Sequence, residues 1–128
     1  MRRRFAAFFI AAAAVATASP ALATQGLSCR PASGTGPQVD IVLGSLGIVG
    51  VSLTENGRGR TSMGEGAPLA MQQAWIDDQR LWIDIADGDL MRPEGRLRLA
   101  RLRTGGEPRF AGTLTRGGRV FRLRCVEG

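Results

Sequence analysis

The sequence predicts an all-β domain, a small antiparallel β-barrel or sandwich of about seven to eight strands closed by one disulfide bond. Short runs in which apolar and polar residues alternate are the first observation behind this prediction. The second is the wide distribution of glycine, 18 residues in a chain of 128, which places turn signals between the runs. The third is a pair of cysteines, Cys29 and Cys125, near the two ends of the chain.

Three alternating runs predict strands before the C-terminal third of the chain. The apolar residues expected to face the core are Val39, Ile41 and Leu43, then Val49, Val51 and Leu53, and then Leu81, Ile83 and Ile85. A turn at Asn56-Gly57 follows the second run, and Asp87-Gly88-Asp89 ends the third.

Two segments have less regular patterns. Residues 68–76 fit either a strand or one helical turn beginning at Pro68, and the even pattern on both sides favours the strand. The glycine-rich residues 55–66 are expected to form the longest flexible loop, a type of segment that often carries binding residues.

The C-terminal sequence predicts a β-hairpin whose turn is Gly117-Gly118. With Arg116 and Arg119 as the closing pair, the residues that fall opposite each other on the apolar face are Leu114 and Phe121, Gly112 and Leu123, and Phe110 and Cys125. The other face then carries Val120, Arg122 and Arg124, because successive side chains of a strand alternate.

A preceding run, Arg96 to Arg103, alternates in the same way. Leu97 and Leu99 are expected to face the core, and Arg96 and Arg98 to face solvent. Because Leu102 is out of phase with Leu99, a bulge is expected near Ala100-Arg101. The arginines of both segments are thus interpreted as the solvated face of strands whose inner face is core.

The first 23 residues predict a cleavable signal peptide. Arg2–Arg4 form a basic head, Phe5–Ala18 an apolar run too short to span a membrane, and Ala21-Leu22-Ala23 a cleavage site with small residues. Residues 24–128 are then expected to form a single β domain in the periplasm or outside the cell, with no membrane span.

Two cysteines in an exported domain normally pair, so a Cys29–Cys125 disulfide is expected. For a loop of about 100 residues, chain-entropy arguments give a stabilisation on the order of 4 to 5 kcal/mol, often less in practice. The role of this bond is interpreted as structural.

The formal net charge of +6 includes the three arginines of the signal peptide, and no basic residue is lysine. A basic face suits polyanions. Single-strand nucleic-acid binders, however, interleave aromatic residues, and the arginine-rich segments carry only Phe110 and Phe121, both on the predicted core face. No nucleic-acid partner is therefore expected, and any affinity for polyanions should be electrostatic, unspecific and weakened by salt.

The chain has no histidine, lysine or tyrosine, so it lacks the common general base and the common zinc ligand. Asp84, Asp87 and Asp89 do not match a calcium loop and are interpreted as an acidic hairpin turn. No enzymatic activity, metal or cofactor is therefore expected. A hydrolase that uses two carboxylates is the alternative from another class of function.

A binding or structural role in the bacterial envelope remains, with a monomer that contacts an envelope protein or an anionic envelope component. Trp82 lies between the inward Leu81 and Ile83, so it is expected to face outward beside Asp84. The phase of Trp75 is ambiguous. The candidate binding residues are Trp82, Asp84, Arg98, Arg122 and Arg124.

In size, compartment and strand count, this barrel with a disulfide near its ends resembles the periplasmic inhibitors of c-type lysozymes. The resemblance implies inhibition of an envelope-active hydrolase as an alternative function. It does not extend to that family's motifs, because the chain has no tyrosine and Thr61-Ser62-Met63-Gly64 only loosely matches the family's Ser-Gly loop. No functional residue is carried over from it.

Overall fold

The computed structural model describes residues 25–103 and 109–128, and these form an all-β fold of nine strands. The strands are β1 (Gln25–Pro31), β2 (Gln38–Gly44), β3 (Gly47–Glu55), β4 (Arg58–Thr61), β5 (Leu69–Ile76), β6 (Arg80–Asp87), β7 (Pro93–Arg101), β8 (Phe110–Arg116) and β9 (Arg119–Glu127). The predicted fold class is confirmed, with slightly more strands than expected. The predicted signal peptide lies outside the described residues.

All nine strands belong to one antiparallel sheet, in the order β4-β3-β2-β1-β9-β8-β7-β6-β5. The edge strand β5 lies beside β3 and β4, so the sheet curls into a nearly closed barrel. Strands β1 and β9 are paired although they come from opposite ends of the chain, and Cys29 lies directly opposite Cys125. The predicted disulfide joins these two residues. Among the described residues, no helix is long and apolar enough to cross a membrane.

The inner face of the barrel is a single apolar core. In most strands, alternation puts every second side chain inside, as expected for a curled sheet with one solvated face. Of the residues predicted to share this core, Leu97, Leu99, Leu114 and Leu123 are at most 2% exposed, and the half-buried Phe121 packs against them. The prediction of one common core is therefore confirmed.

The predicted C-terminal hairpin is confirmed in its register. Arg116 pairs with Arg119, and Leu114 lies opposite Phe121. Gly117 and Gly118 have φ values of 57° and 75°. A type I′ turn needs positive φ at both central residues, a conformation that glycine adopts without steric penalty.

Three local predictions are wrong. Val49 is 52% exposed, because a register shift between Val42 and Leu43 turns this residue out of the alternation. No register shift occurs at Ala100-Arg101; β7 pairs regularly with β8 until it ends at Arg101, and Leu102 lies beyond the strand.

The third correction concerns residues 55–66, which do not form one long loop. A tight turn at Asn56-Gly57 leads directly into β4, whose Arg58 pairs back onto Glu55 of β3. By contrast, the expectation that residues 68–76 form a strand is confirmed by β5, which begins at Leu69.

Candidate binding surface

The outer face of β5 and β6 carries two tryptophans side by side. Trp75 and Trp82 are opposite each other in the antiparallel pairing of these strands. They are 58% and 38% exposed, respectively, while the neighbours of Trp82 along β6, Leu81 and Ile83, are fully buried. Trp82 therefore faces outward, as the alternation of β6 predicts, and Trp75 shares its face.

Two arginines lie close to the ring of Trp82. The guanidinium carbons of Arg80 and Arg98 are 5.6 and 5.2 Å from its centroid, within the range of a cation–π interaction. Asp84 holds one of these cations in place, because its Oδ1 accepts a hydrogen bond of 2.8 Å from Arg98 Nη2. Trp75, Arg80, Trp82, Asp84 and Arg98 are called the tryptophan–arginine patch below.

The patch is fixed at one end by the β5–β6 turn. Asp77 accepts hydrogen bonds from the backbone N–H groups of Gln79 and Arg80 and from Trp75 Nε1, the last at 3.1 Å. The backbone bond from Gln79, then the bond from Trp75 and that from Arg80, lower the pKa of Asp77 below its ordinary value. The carboxylate therefore stays ionised and orients the exposed indole of Trp75.

A cleft of about 270 Å³ lies beside the two indoles and the Asp84–Arg98 ion pair. Its lining residues are Gln73, Ala74, Trp75, Trp82, Asp84 and Arg98. Aromatic surface, a cation and a carboxylate thus converge on one small concavity. Such a combination can bind a ligand that presents an apolar or planar face together with a charge.

The structure divides the five predicted binding residues into two groups. Trp82, Asp84 and Arg98 are in contact, whereas Arg122 and Arg124 lie two strands away on β9. In the pairing register Arg98 is opposite Thr113 of β8, and Thr113 is opposite Arg122, so the two groups share one face with β8 between them. The outward residues of β8 between the two groups, Ala111 and Thr113, have small side chains.

Sequence reasoning missed one arginine of this face. Arg30 of β1 lies directly opposite Arg124 of β9. The sequence could have indicated this pair. If Cys29 and Cys125 are opposite each other in an antiparallel ladder, the residue after Cys29 lies opposite the residue before Cys125.

A second cluster, also missed, lies at one end of the barrel and takes its residues from β3, β4, β7 and β8. Arg116 Nη1 donates to the backbone oxygen of Glu94 at 2.7 Å and to its Oε2 at 2.8 Å, while Arg116 Nε contacts Glu55 Oε1. Arg60 Nη2 reaches the same Glu94 oxygen at 3.4 Å. These four residues are called the mouth cluster below. The signal was their phase, because Glu55 follows Leu53 and Arg116 follows Leu114 on the inner face.

Mutual stabilisation of charge dominates the mouth cluster. The hydrogen bond from Arg116 lowers the pKa of Glu94 below its ordinary value, and the opposing effect of burial is outweighed. Burial works to lower the pKa of Arg116, but the hydrogen bonds with Glu94 and Glu55 raise it overall. A cavity of about 650 Å³ opens beside the cluster and is lined partly by Phe121 and Gly36. The cluster closes the apolar core with paired charges.

The predicted acidic turn is only partly formed as expected. Asp84 lies within β6 and not in the turn. The turn that follows is held by Asp87, whose Oδ1 accepts hydrogen bonds from the backbone N–H groups of Met91 and Arg92. The bond from Arg92, partly offset by burial, lowers the pKa of Asp87. Within residues 25–103 and 109–128, no group of three His, Cys, Asp or Glu residues could hold a metal ion.

Comparisons of the chain with protein-family models, with curated proteins and with solved structures give no match. What can be inferred about function therefore comes from the geometry of the outer face and of the mouth cluster.

Proposed function

We propose that this chain is an exported, non-enzymatic binding protein of the bacterial envelope whose outer face contacts an anionic envelope component. The observation that carries the proposal is the tryptophan–arginine patch, in which Trp82 is 38% exposed and two guanidinium groups lie close to its ring. The arginines of β9 extend the same face. Tryptophan and arginine are the residue types most enriched among energetically dominant interface residues.

The positions of the two tryptophans favour recognition over packing. Neither indole is needed to fill the core, because Leu81, Ile83 and Leu97 already occupy the inner face at this level. Exposed indoles next to charges combine apolar contact area with hydrogen-bonding and cation–π capacity. A surface of this kind fits a ligand that has both negative charge and apolar or sugar-ring faces.

The charge states of the carboxylates support a non-enzymatic role. Asp77, Asp87 and Glu94 all have lowered pKa values, for the structural reasons given above. A general acid that works near neutral pH needs a raised pKa, as in hydrolases that use two carboxylates. The carboxylates with resolved shifts are therefore suited to ion pairs and turns.

The N-terminal sequence and the Cys29–Cys125 bond support export. Disulfides persist in the periplasm and outside the cell and are rare in the reducing cytosol. Inhibition of a hydrolase has less support, because Thr61–Gly64 folds back onto the barrel. Ser62 N donates to Val51 O at 2.9 Å, and Val51 N donates to Ser62 Oγ at 2.9 Å.

A binding titration of the purified, disulfide-bonded protein tests the proposal. Lipopolysaccharide, heparin and a nucleic acid are compared at low and at physiological salt. Tightest binding is expected for lipopolysaccharide, because it offers charge together with sugar and acyl surface. This expected selectivity differs from the unspecific binding of polyanions that the sequence alone predicts. Trp82→Ala should weaken this binding roughly tenfold, whereas Val49→Ala, an exposed apolar position on β3, should leave it unchanged.

Two results would overturn the proposal. One is a failure of lipopolysaccharide to bind even at low salt. The other is binding that Trp82→Ala and Val49→Ala affect equally, which would show that the tryptophan–arginine patch does not form the contact.

A further inference from the structure

Three arginines occupy neighbouring positions on the outer face of the barrel where β1 pairs with β9. Arg30 and Arg124 are directly opposite each other across the two strands. Arg122 lies two residues from Arg124 on the same strand and therefore on the same face, about 7 Å away along the strand. All three side chains are exposed. Arg30, Arg122 and Arg124 are called the arginine trio below.

The guanidinium groups of the trio are unpaired within the described part of the chain. None of its members takes part in an ion pair there, whereas Arg60, Arg96, Arg98, Arg109 and Arg116 all do. Asp40, a carboxylate of the adjacent strand β2, lies opposite Ser28 and receives a hydrogen bond from Gln38 Nε2. Like charges directly opposite each other on a sheet destabilise it, so an external anion would relieve the repulsion.

The disulfide holds the trio in place. Cys29 and Cys125 form the pair next to Arg30 and Arg124, with their side chains on the inner face and their Cα atoms 3.9 Å apart. The disulfide prevents β1 and β9 from separating, although the neighbouring Arg30 and Arg124 repel each other. Little ordering is then required of the backbone when a ligand binds, which favours affinity.

We propose that the arginine trio is a binding site for a phosphate group, and specifically for the phosphate monoester of a larger envelope molecule. Arginine suits this ligand, because its planar guanidinium donates two parallel hydrogen bonds to phosphate oxygens. A phosphate monoester carries about two negative charges near neutral pH and can accept from more than one arginine at once. This site deepens the binding function proposed above and rests on it.

The position of the trio also suggests how a larger ligand lies on the protein. Only the small outward side chains of β8, such as Ala111 and Thr113, stand between the trio and the tryptophan–arginine patch. With a strand spacing of about 4.8 Å, the arginines of β7 and β9 are roughly 10 Å apart across this strip. A phosphorylated sugar can place its phosphate at the trio and its ring over the strip.

The test is an NMR titration of the oxidised protein with a sugar phosphate monoester, with sulfate at matched ionic strength as the comparison. Selective, saturable shifts of the arginine Nε–Hε signals of the trio are expected with the monoester. Arg124→Gln should weaken this binding roughly tenfold. Arg58→Gln, at an exposed position on β4, is the matched control and should leave it unchanged.

A second arm distinguishes a free phosphate compound from a lipid headgroup. Lipopolysaccharide with intact phosphates is compared with the same material after enzymatic dephosphorylation. A preference for the intact form that Arg124→Gln abolishes supports a headgroup as the source. Equal binding of both forms, together with saturable binding of the soluble monoester, would contradict a larger envelope molecule as the ligand and would indicate a free sugar phosphate.

The outcomes separate this site from the wider proposal. If sulfate and phosphate shift the same signals equally, or if Arg58→Gln weakens binding as much as Arg124→Gln, the phosphate site is overturned. Lipopolysaccharide binding that still depends on Trp82 would then leave the binding function intact. If neither lipopolysaccharide nor the monoester binds, both proposals are overturned.

Discussion

The mouth cluster and the arginine trio both contain arginine, but in the mouth cluster it is partly buried and paired, and in the trio it is exposed and unpaired among the residues that the structure describes. Arg116 is 21% exposed and contacts two carboxylates, and each contact satisfies part of its guanidinium. The trio is exposed on the outer face, with no ion pair among the described residues and with two of its members opposite each other. The two regions are close along the chain, because Arg116 ends β8 and the trio residues Arg122 and Arg124 lie on β9 of the same hairpin.

The contrast separates arginines that stabilise the fold from arginines that remain available to a ligand. A partly buried cation with fixed carboxylate partners is costly to remove, because its partners would be left desolvated and unpaired. An exposed cation without a partner contributes little to stability and can bind an external anion. Composition alone does not reveal this difference, since both kinds of arginine occur within the nine residues from Arg116 to Arg124.

The largest effect on stability is expected from removal of the Cys29–Cys125 disulfide, which lies next to the arginine trio. Replacing both cysteines, Cys29→Ala with Cys125→Ala, should lower the free energy of unfolding by about 2 to 5 kcal/mol, because the reduced unfolded chain gains conformational freedom. Urea denaturation followed by tryptophan fluorescence measures this change. The wild-type protein in reducing agent is the control and should show a similar loss. A change below about 1 kcal/mol would contradict the structural role of the disulfide.

The next effect concerns the mouth cluster. Arg116→Met keeps the apolar stem but leaves Glu55 and Glu94 without their shared cation, so a loss of about 1 to 3 kcal/mol is expected. Arg119→Met is the matched control, because Arg119 is the partner of Arg116 in the hairpin and is exposed. Its loss should be clearly smaller in the same urea titration. Equal losses would show that the carboxylate contacts of Arg116 do not stabilise the barrel.

The pH dependence of the unfolding free energy also tests whether Arg116 stabilises the fold through its contact with Glu94. The folded-state pKa of Glu94 is lowered, chiefly by the hydrogen bond from Arg116. Its stabilising contribution is therefore fully present above the ordinary glutamate pKa of 4.5 and is lost as the pH falls through the lower folded-state value. Arg116→Met should flatten this acidic decline in unfolding free energy.

Asp77 and Asp87 also have lowered pKa values, but they titrate equally in the wild type and in Arg116→Met. Their contribution cancels in the difference between the two pH profiles. Identical profiles would contradict the assignment of Arg116 as the main partner of Glu94.

Alternation within strands predicted much of this molecule. It identified the inward leucines, the hairpin register around Gly117-Gly118 and the outward position of Trp82, because these depend on neighbours along the chain and on one tight turn. It could not identify the bulge that exposes Val49 or the additional strand β4. The bulge is a property of the pairing between β2 and β3, and β4 exists because it pairs back onto β3. The alternation within one strand contains neither kind of information.

The sequence could predict most residues of the candidate site, but it could not predict which of them lie next to each other. Trp82, Asp84 and Arg98 meet because β6 and β7 pair in one particular register, and Arg30 joins Arg124 because the two ends of the chain become adjacent strands. The mouth cluster needs residues of four strands, from two separate parts of the chain, to lie at the same end of the barrel. Relations of this kind arise from topology, for which the sequence supplies only the disulfide as a direct indication.

The smallest expected effect on the free energy of unfolding is an increase, not a loss, and it distinguishes the arginine trio most clearly from the mouth cluster. Arg124→Gln removes one of two like charges that face each other across β1 and β9, so at low salt it should raise the free energy of unfolding by about 0.2 to 0.5 kcal/mol. The gain should vanish at high salt, because screening weakens the repulsion between exposed charges in the wild type. Arg58→Gln, exposed on β4, is the control and should show no such salt-dependent gain. Urea titrations of both variants at low and high salt provide the measurement. A loss of stability in Arg124→Gln that persists at high salt would show that Arg124 supports the fold as Arg116 does, and the contrast between the mouth cluster and the trio would no longer hold.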